Sequence, residues 1–169
     1  LNSPGEFPLG VNTIKINGPD SEEGIDGTGS GPLNVKSADL DGDGDLDLIV
    51  AFAYIDLIAW YKNDGFGNFG TLETINIGDT DYPHSVETAD LDGDGDLDIV
   101  SGSSYDHRIA WYKNDGFGNF GSQQTISTNA KVAYFVVTAD LDNDGDIDVL
   151  SASASDNRIA WYANHGSGI

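Results

Sequence analysis

Asp39, Asp41, Asp43, Asp45 and Asp47 stand at alternate positions in the stretch Ala38 to Asp47. The same pattern returns at Asp90, Asp92, Asp94, Asp96 and Asp98, and at Asp140, Asp142, Asp144, Asp146 and Asp148. Five like charges within nine residues repel one another, so a turn that gathers them needs a cation. Calcium fits best, because it takes six to eight oxygens from carboxylates, carbonyls and water, and Asp-x-Asp-x-Asp-Gly is the first half of a helix–loop–helix calcium loop. Gly44, Gly95 and Gly145 hold the sixth position, where such a loop turns sharply. In the first loop Asp39, Asp41, Asp43 and Asp47 are expected to bind through side chains and Asp45 through its carbonyl. The twelfth position, a bidentate Glu in the helical version, is Val50, Ser101 or Ser151, so the ninth-position Asp must close the shell. About three calcium ions per chain follow.

The elements that position these loops are strands. Asp-Leu-Ile-Val, Asp-Ile-Val-Ser and Asp-Val-Leu-Ser leave the three loops as short β-branched runs, and no segment carries the 3.6-residue period of an amphipathic helix. The spacing of the loops is about fifty residues, shared by Trp60-Tyr61, Trp111-Tyr112 and Trp161-Tyr162, and Ile58 to Gly70 is identical to Ile109 to Gly121. Within the middle copy the turn signals predict four strands, roughly 84–89, 98–104, 108–114 and 122–127, with the metal loop between the first two. Asn114-Asp115-Gly116 reads as a reversing turn, and Phe117 and Phe120 as aromatic plugs on a glycine-rich connector. Four strands per fifty residues is the unit of a β-propeller blade. The fold expected is all-β: four-stranded antiparallel blades, three blades' worth of sequence, with approximate repeats at 20–77, 78–128 and 129–169.

Two departures stand out in the first copy. A polar insertion, rich in Gly, Pro and acids, falls between Gly18 and Gly31. Phe52-Ala53-Tyr54-Ile55-Asp56-Leu57 replaces the more polar Ser103 to Arg108, which predicts that this edge is covered. Residues 7–17, through the run Val11 to Ile16, align with Leu72 to Ile77 and Ser122 to Ser127 and read as the fourth strand of a blade whose other three lie at 133–163. One blade is thus divided between the two ends. Two chains could then exchange these strands and build a six-bladed ring, a homodimer.

Composition limits the partners. Of 29 acidic residues fifteen sit in the three loops, and three calcium ions would bring the net charge from −22 to −16. With only seven Lys and Arg, neither nucleic acid nor insertion into an anionic membrane is expected, and no apolar run approaches the length of a membrane span. Asp-rich loops of modest rigidity fill where calcium is near millimolar, which points to a secreted or cell-surface protein. The chain has no Cys or Met and begins at Leu1, so it reads as a mature or excised piece.

The Asp-x-Asp-Gly-Asp-Gly-x-x-Asp loop, the Phe-Gly pairs at 66–67, 69–70, 117–118 and 120–121, and the Trp-Tyr strand together resemble the FG-GAP or VCBS-type repeats of calcium-binding β-propellers. The resemblance covers almost the whole chain. It implies the fifteen aspartates above as metal ligands, with the seventh position acting through its carbonyl. Integrin α heads, a fungal propeller lectin and non-catalytic propellers of bacterial secreted enzymes share such repeats. After the loop the integrin-type Gly-Ala-Pro is replaced by Ala51-Phe52-Ala53, Gly102-Ser103-Ser104 and Ala152-Ser153-Ala154, which favours the bacterial or lectin-like branch.

Other chemistry is sparse. His84, His107 and His165 share no register and lie in no nucleophile or zinc spacing, so no catalytic residue and no enzyme is expected. The three tryptophans could stack on sugars, but one Trp per repeat in an apolar strand reads first as packing between blades. A polar corner offers better candidates: Ser103, Asp106, His107 and Arg108, matched by Ser153, Asp156, Asn157 and Arg158, place donors and acceptors together as glycan recognition requires. Asp106 and Arg108 could equally pair across the turn, worth little when exposed. Two function classes follow: a calcium-stabilised recognition module for carbohydrate or a cell-surface protein, and an architectural propeller segment of a larger secreted enzyme or adhesin.

Overall fold

The computed structural model of the chain describes residues 31–75, 80–166 and 168–169. Among these residues eleven strands form three antiparallel sheets. The first holds β1 (Pro32–Ala38), β2 (Asp47–Phe52), β3 (Leu57–Tyr61) and β4 (Glu73–Thr74); the second β5 (Pro83–Ala89), β6 (Asp98–Ser103), β7 (Ile109–Tyr112) and β8 (Gln124–Ser127). The third holds β9 (Ala133–Ala139), β10 (Asp148–Ser153) and β11 (Arg158–Tyr162). Each sheet runs in chain order, as successive hairpins require. No α-helix occurs among the described residues, and one 3₁₀ turn, Ala53–Ile55, follows β2. The insertion at 18–31, apart from Gly31, and the strand expected at 11–16 lie outside the described residues.

The strands of the middle sheet fall within two residues of the sequence expectation at every boundary. The largest difference is at the outer pair, where the chain leaves the ladder at Tyr112 and re-enters at Gln124. The Asn114–Gly118 turn explains it: the Asp115 carboxylate accepts the Phe117 and Asn119 backbone N–H groups at 3.0 and 3.2 Å. An isolated antiparallel bridge then pairs Asn114 with Phe120. The corresponding turn at Asp64 is built the same way. Only the second phenylalanine of each connector acts as a plug. Phe120 packs edge-on against Trp60 with ring centroids 6.3 Å apart and Phe69 packs on the first sheet, whereas Phe66 and Phe117 sit at the turn tips, 90% and 78% exposed.

The sheets stack through alternate faces, because successive strand residues point to opposite sides. One core joins the first two sheets: Leu40, Ile49, Ile58 and Trp60 meet Val86, Ile99 and Tyr112. A second joins the next two: Leu91, Val100, Ile109 and Trp111 meet Ala133, Val136 and Val149. Strand β5 lies against β1 and β2, and β9 against β5 and β6, so the first strand of each sheet is inserted over its predecessor. The arrangement is blade-like. Trp60 and Trp111 are thus seam residues, as the sequence favours, but Trp161 is half-exposed. A third cluster, Val50, Phe52, Ala59 and Tyr61, lies on the other side of the first sheet, so of the apolar replacements Phe52 and Ala53 are buried. Tyr54 and Ile55 beyond them are 61% and 39% exposed.

Gly118 shows how close the seam is. A Cβ on it would come 2.6 Å from the Trp60 ring, and its φ is +77°. Gly93 has a similar φ of +75° but open space around it, and Asn143 stands at that position in the third repeat with φ 62°. Gly93→Ala should therefore cost about 1 kcal/mol of left-handed strain, and Gly118→Ala about 3 kcal/mol, the excess coming from displacing a packed ring. Urea denaturation of the two variants checks this; equal losses would mean that the seam is loose.

Candidate metal loops and a surface cleft

Each acidic loop is closed by its own carboxylates. The first-position Asp accepts the sixth-position glycine N–H: Gly44 to Asp39 at 2.9 Å, Gly95 to Asp90 at 3.0 Å and Gly145 to Asp140 at 3.2 Å. Those glycines have φ of 92°, 98° and 98° with open space where a Cβ would stand, so the requirement is conformational. The fifth-position Asp accepts the seventh residue's N–H at 3.0 Å in all three loops. That bond, followed by Lys62, holds the Asp43 carboxyl below its ordinary range, and Lys113 does so first for Asp94.

The loops bring together Asp39, Asp41 and Asp43, then Asp90, Asp92 and Asp94, then Asp140, Asp142 and Asp148, each trio with ligand oxygens within 4.8 Å of one another. Asp41, Asp92 and Asp140 each also bury one carboxylate oxygen without a hydrogen-bond partner. A buried carboxylate oxygen left unpartnered in each loop, at the third position in the first two and the first position in the third, is what a hard cation would satisfy, so the donor set fits calcium. In the first two loops a lysine meets these acids. Lys62 pairs with Asp41 and, at 3.1 Å, with Asp43; Lys113 pairs with Asp92 and, at 2.9 Å, with Asp94. The third repeat has Ala163 there, and burial with the neighbouring Asp144 charge pushes the Asp142 carboxyl up.

The ninth-position aspartates have a role that spacing alone did not reveal. Asp47, Asp98 and Asp148 are fully buried, and each accepts two backbone N–H groups. One comes from the residue after the first ligand, Leu40, Leu91 or Leu141, at 3.0–3.1 Å. The other comes from the Asn after the third strand, Asn63, Asn114 or Asn164, at 2.8 Å. For Asp98 burial outweighs these bonds and its carboxyl is pushed up to about 6; for the third-loop Asp148, burial is outweighed and it is lowered. The seventh-position side chains of Asp45, Asp96 and Asp146 lie against Gly65, Gly116 and Gly166 of the following turn. The turn asparagines also act as seam residues, a role their spacing does not show: Asn114 Nδ2 donates to the Leu40 carbonyl of the preceding sheet at 2.7 Å, and Asn164 Nδ2 to that of Leu91 at 2.6 Å.

At the opposite end of the sheets the polar corner is only partly a surface. Ser103 and Ser153 are buried. His107 and Asn157, with Asp56 in the first repeat, take left-handed φ of 59°, 53° and 54°, so they are turn formers first. His107 Nδ1 lies 2.9 Å from the Ser104 carbonyl and accepts the Val132 N–H at 3.3 Å. Asp106 sits 3.5 Å from Arg108, burial pushing its carboxyl up, and Arg108 also bonds Gln123, whose Nε2 donates to the Tyr112 hydroxyl at 2.8 Å. The third repeat is more open. Asp156, Arg158 and Tyr162 line a cleft of about 460 Å³ with Ser127, Asn129 and Lys131 from the segment that enters the third sheet. Exposed Tyr54 and Tyr105 flank Tyr82 at the same end, with Tyr82 and Tyr105 stacked at 4.6 Å.

Repeated antiparallel sheets, seamed face to face and each carrying an acidic loop between its first two strands, define a propeller-like repeat protein. The chain belongs to the FG-GAP-like repeat family, whose model matches residues 39–101 and 90–151. A solved lectin structure from Agrocybe aegerita, described as specifically recognising non-reducing terminal N-acetylglucosamine, shares the fold with a TM-score of 0.51 at 24% identity. The match covers 79% of this chain and 39% of that one, so the chain spans well under half of its structural relative. No curated protein sequence matches the chain.

Proposed function

We propose that the protein is a calcium-stabilised extracellular recognition module that binds carbohydrate. The observation that carries this reading is the cleft at Asp156, Arg158 and Tyr162: carboxylate, guanidinium, amide and ammonium groups converge beside an aromatic ring. Sugars are bound by such sets, the hydroxyls taking the polar groups and a pyranose face the ring. The lectin fold relationship and the tyrosines at the same end support it. Binding and not catalysis is the reading, because the FG-GAP-like repeats and the lectin fold relative both point to recognition.

A glycan array with the intact protein, in calcium and in chelator, is the test. Binding of neutral glycans in calcium, weakened at least about tenfold by Arg158→Ala, is the expected result. One observation favours a second reading, an architectural segment of a larger secreted enzyme or adhesin: β11 has no fourth strand beside it among the described residues, and a strand docked there would cover the cleft. An array empty in both conditions would decide for that reading.

A further inference from the structure

Three tyrosines form a strip from the first sheet to the second, at the end away from the metal loops. Tyr82 lies in the middle, its ring centroid 5.6 Å from that of Tyr54 and, stacked, 4.6 Å from that of Tyr105. Tyr105 is 64% exposed although Tyr82 covers one of its faces, so its other face is open, and Tyr54 is 61% exposed. The strip belongs to these two repeats and not to the fold as such. The residue before each first strand takes a left-handed φ in all three repeats: Gly31 at 49°, Tyr82 at 60° and Val132 at 58°. Gly31 leaves the place that the Tyr54 ring fills, since a Cβ there would come 2.5 Å from it. Tyr82 instead puts a bulky side chain where glycine is unstrained, which costs about 1–2 kcal/mol. The Asp56 carboxylate holds it there by accepting the Tyr82 N–H at 2.8 Å, and the Ser104 N–H donates to the Tyr82 carbonyl at 3.0 Å. In the third repeat the counterparts of Tyr82 and Tyr105 are Val132 and Ser155, so that repeat carries no such rings.

We propose that the tyrosine strip is a second carbohydrate subsite, separate from the cleft at Arg158, which takes the apolar face of a neutral pyranose on the open rings of Tyr105 and Tyr54. The proposal rests on the reading of the protein as a glycan binder. A tyrosine kept in a strained position between two exposed rings is more than packing alone asks for. Three features set the class of ligand. Exposed phenol rings offer a flat apolar face with a hydroxyl at the rim, which matches the apolar face and the hydroxyls of a pyranose. Acids flank the rings: Asp56 is bonded to Tyr82, and the Asp81 carbonyl accepts the Tyr105 N–H at 3.2 Å. In a chain of net charge −22, sulfated, phosphorylated or uronic ligands therefore meet like charge. A stacking distance of 4.6 Å leaves no space for a cation between Tyr82 and Tyr105, so the rings form no cage for an ammonium group.

An array of neutral glycans, probed with the intact chain in calcium and with three variants of it, is the test. Tyr105→Ser and Tyr82→Gly each borrow the residue that another repeat of the chain holds at the corresponding position, Ser155 and Gly31, so the backbone already accommodates them. Each should weaken one set of bound glycans about tenfold, as the loss of a stacked ring requires. Arg158→Ala should weaken a different set, and Tyr82→Gly should leave the melting temperature unchanged or raised because left-handed strain is relieved. Should one tyrosine variant unfold, the other decides. Glycans weakened by Arg158→Ala but indifferent to both tyrosine substitutions would overturn the subsite and leave the cleft standing. Glycans lost with the tyrosines but indifferent to Arg158→Ala would support the subsite and remove the cleft. A lower melting temperature for Tyr82→Gly with unaltered binding would show that the ring is there to pack, and an array empty with the unaltered chain would overturn both sites.

Discussion

Exhaustive chelation of calcium should lower the melting temperature by roughly 15 °C or more. Without the ion each loop keeps buried carboxylate oxygens that no protein donor satisfies, at Asp41, Asp92 and Asp140. With a dissociation constant taken as ~10 μM and ~1 mM calcium, linkage supplies about 2.7 kcal/mol per site. For a domain of this size each kcal/mol moves the midpoint by about 2–4 °C. The three sites should not fill alike. Calcium entering the first two loops must displace the Lys62 or Lys113 ammonium, and the third loop, with Ala163, has no lysine there, only the His165 ring with its Nδ1 3.8 Å from Asp144. Calorimetric titration should therefore show the third loop filling first, Lys62→Met should tighten the first site, and Asp94→Ala should weaken the second alone. A melting temperature indifferent to chelator would sink the calcium reading.

Trp111→Ala should cost about 3–5 kcal/mol, close to the whole stability of a marginal domain, whereas Trp161→Ala should cost under about 1 kcal/mol in the single chain. The two residues share sequence, strand and register. They differ in that Trp111 is closed over by the third sheet and by Gly168, while Trp161 is 50% exposed and has no sheet beyond it among the described residues. Urea denaturation at concentrations low enough to keep chains apart measures both. Equal losses would show that the tryptophans act within their own sheets and would remove the seam as the main source of stability.

These contrasts mark where sequence was informative. The fifty-residue period, the turn residues and the β-branched runs each report local chemistry, so strand order and the position of the acidic loops were legible. What stayed hidden depends on contacts between repeats. Asn114 reads as a turn former because asparagine favours turns, and its amide reaching Leu40 spans 74 positions. Asp98 reads as a ligand like its neighbours, because nothing in its spacing shows that it is buried under two backbone N–H groups. Phe66 and Phe69 are both phenylalanines on one connector, and only the turn geometry separates an exposed tip from a plug. The serines of the polar corner likewise read as surface, since serine is small enough to sit on either side of a sheet.

The buried carboxylate of Asp98 holds the Asn114 backbone, and Asn114 in turn holds the sheet before it. A disturbance at one acidic loop is thereby handed directly to its neighbour, so the sheets melt as linked units and not one by one, in the manner of a chain with strong nearest-neighbour terms. Protection of backbone amides against hydrogen exchange should then follow position along the arc more closely than local strand length. The slowest exchange is expected in β6, which has a sheet on both sides, and the fastest in β11, although both are strands of nearly equal length.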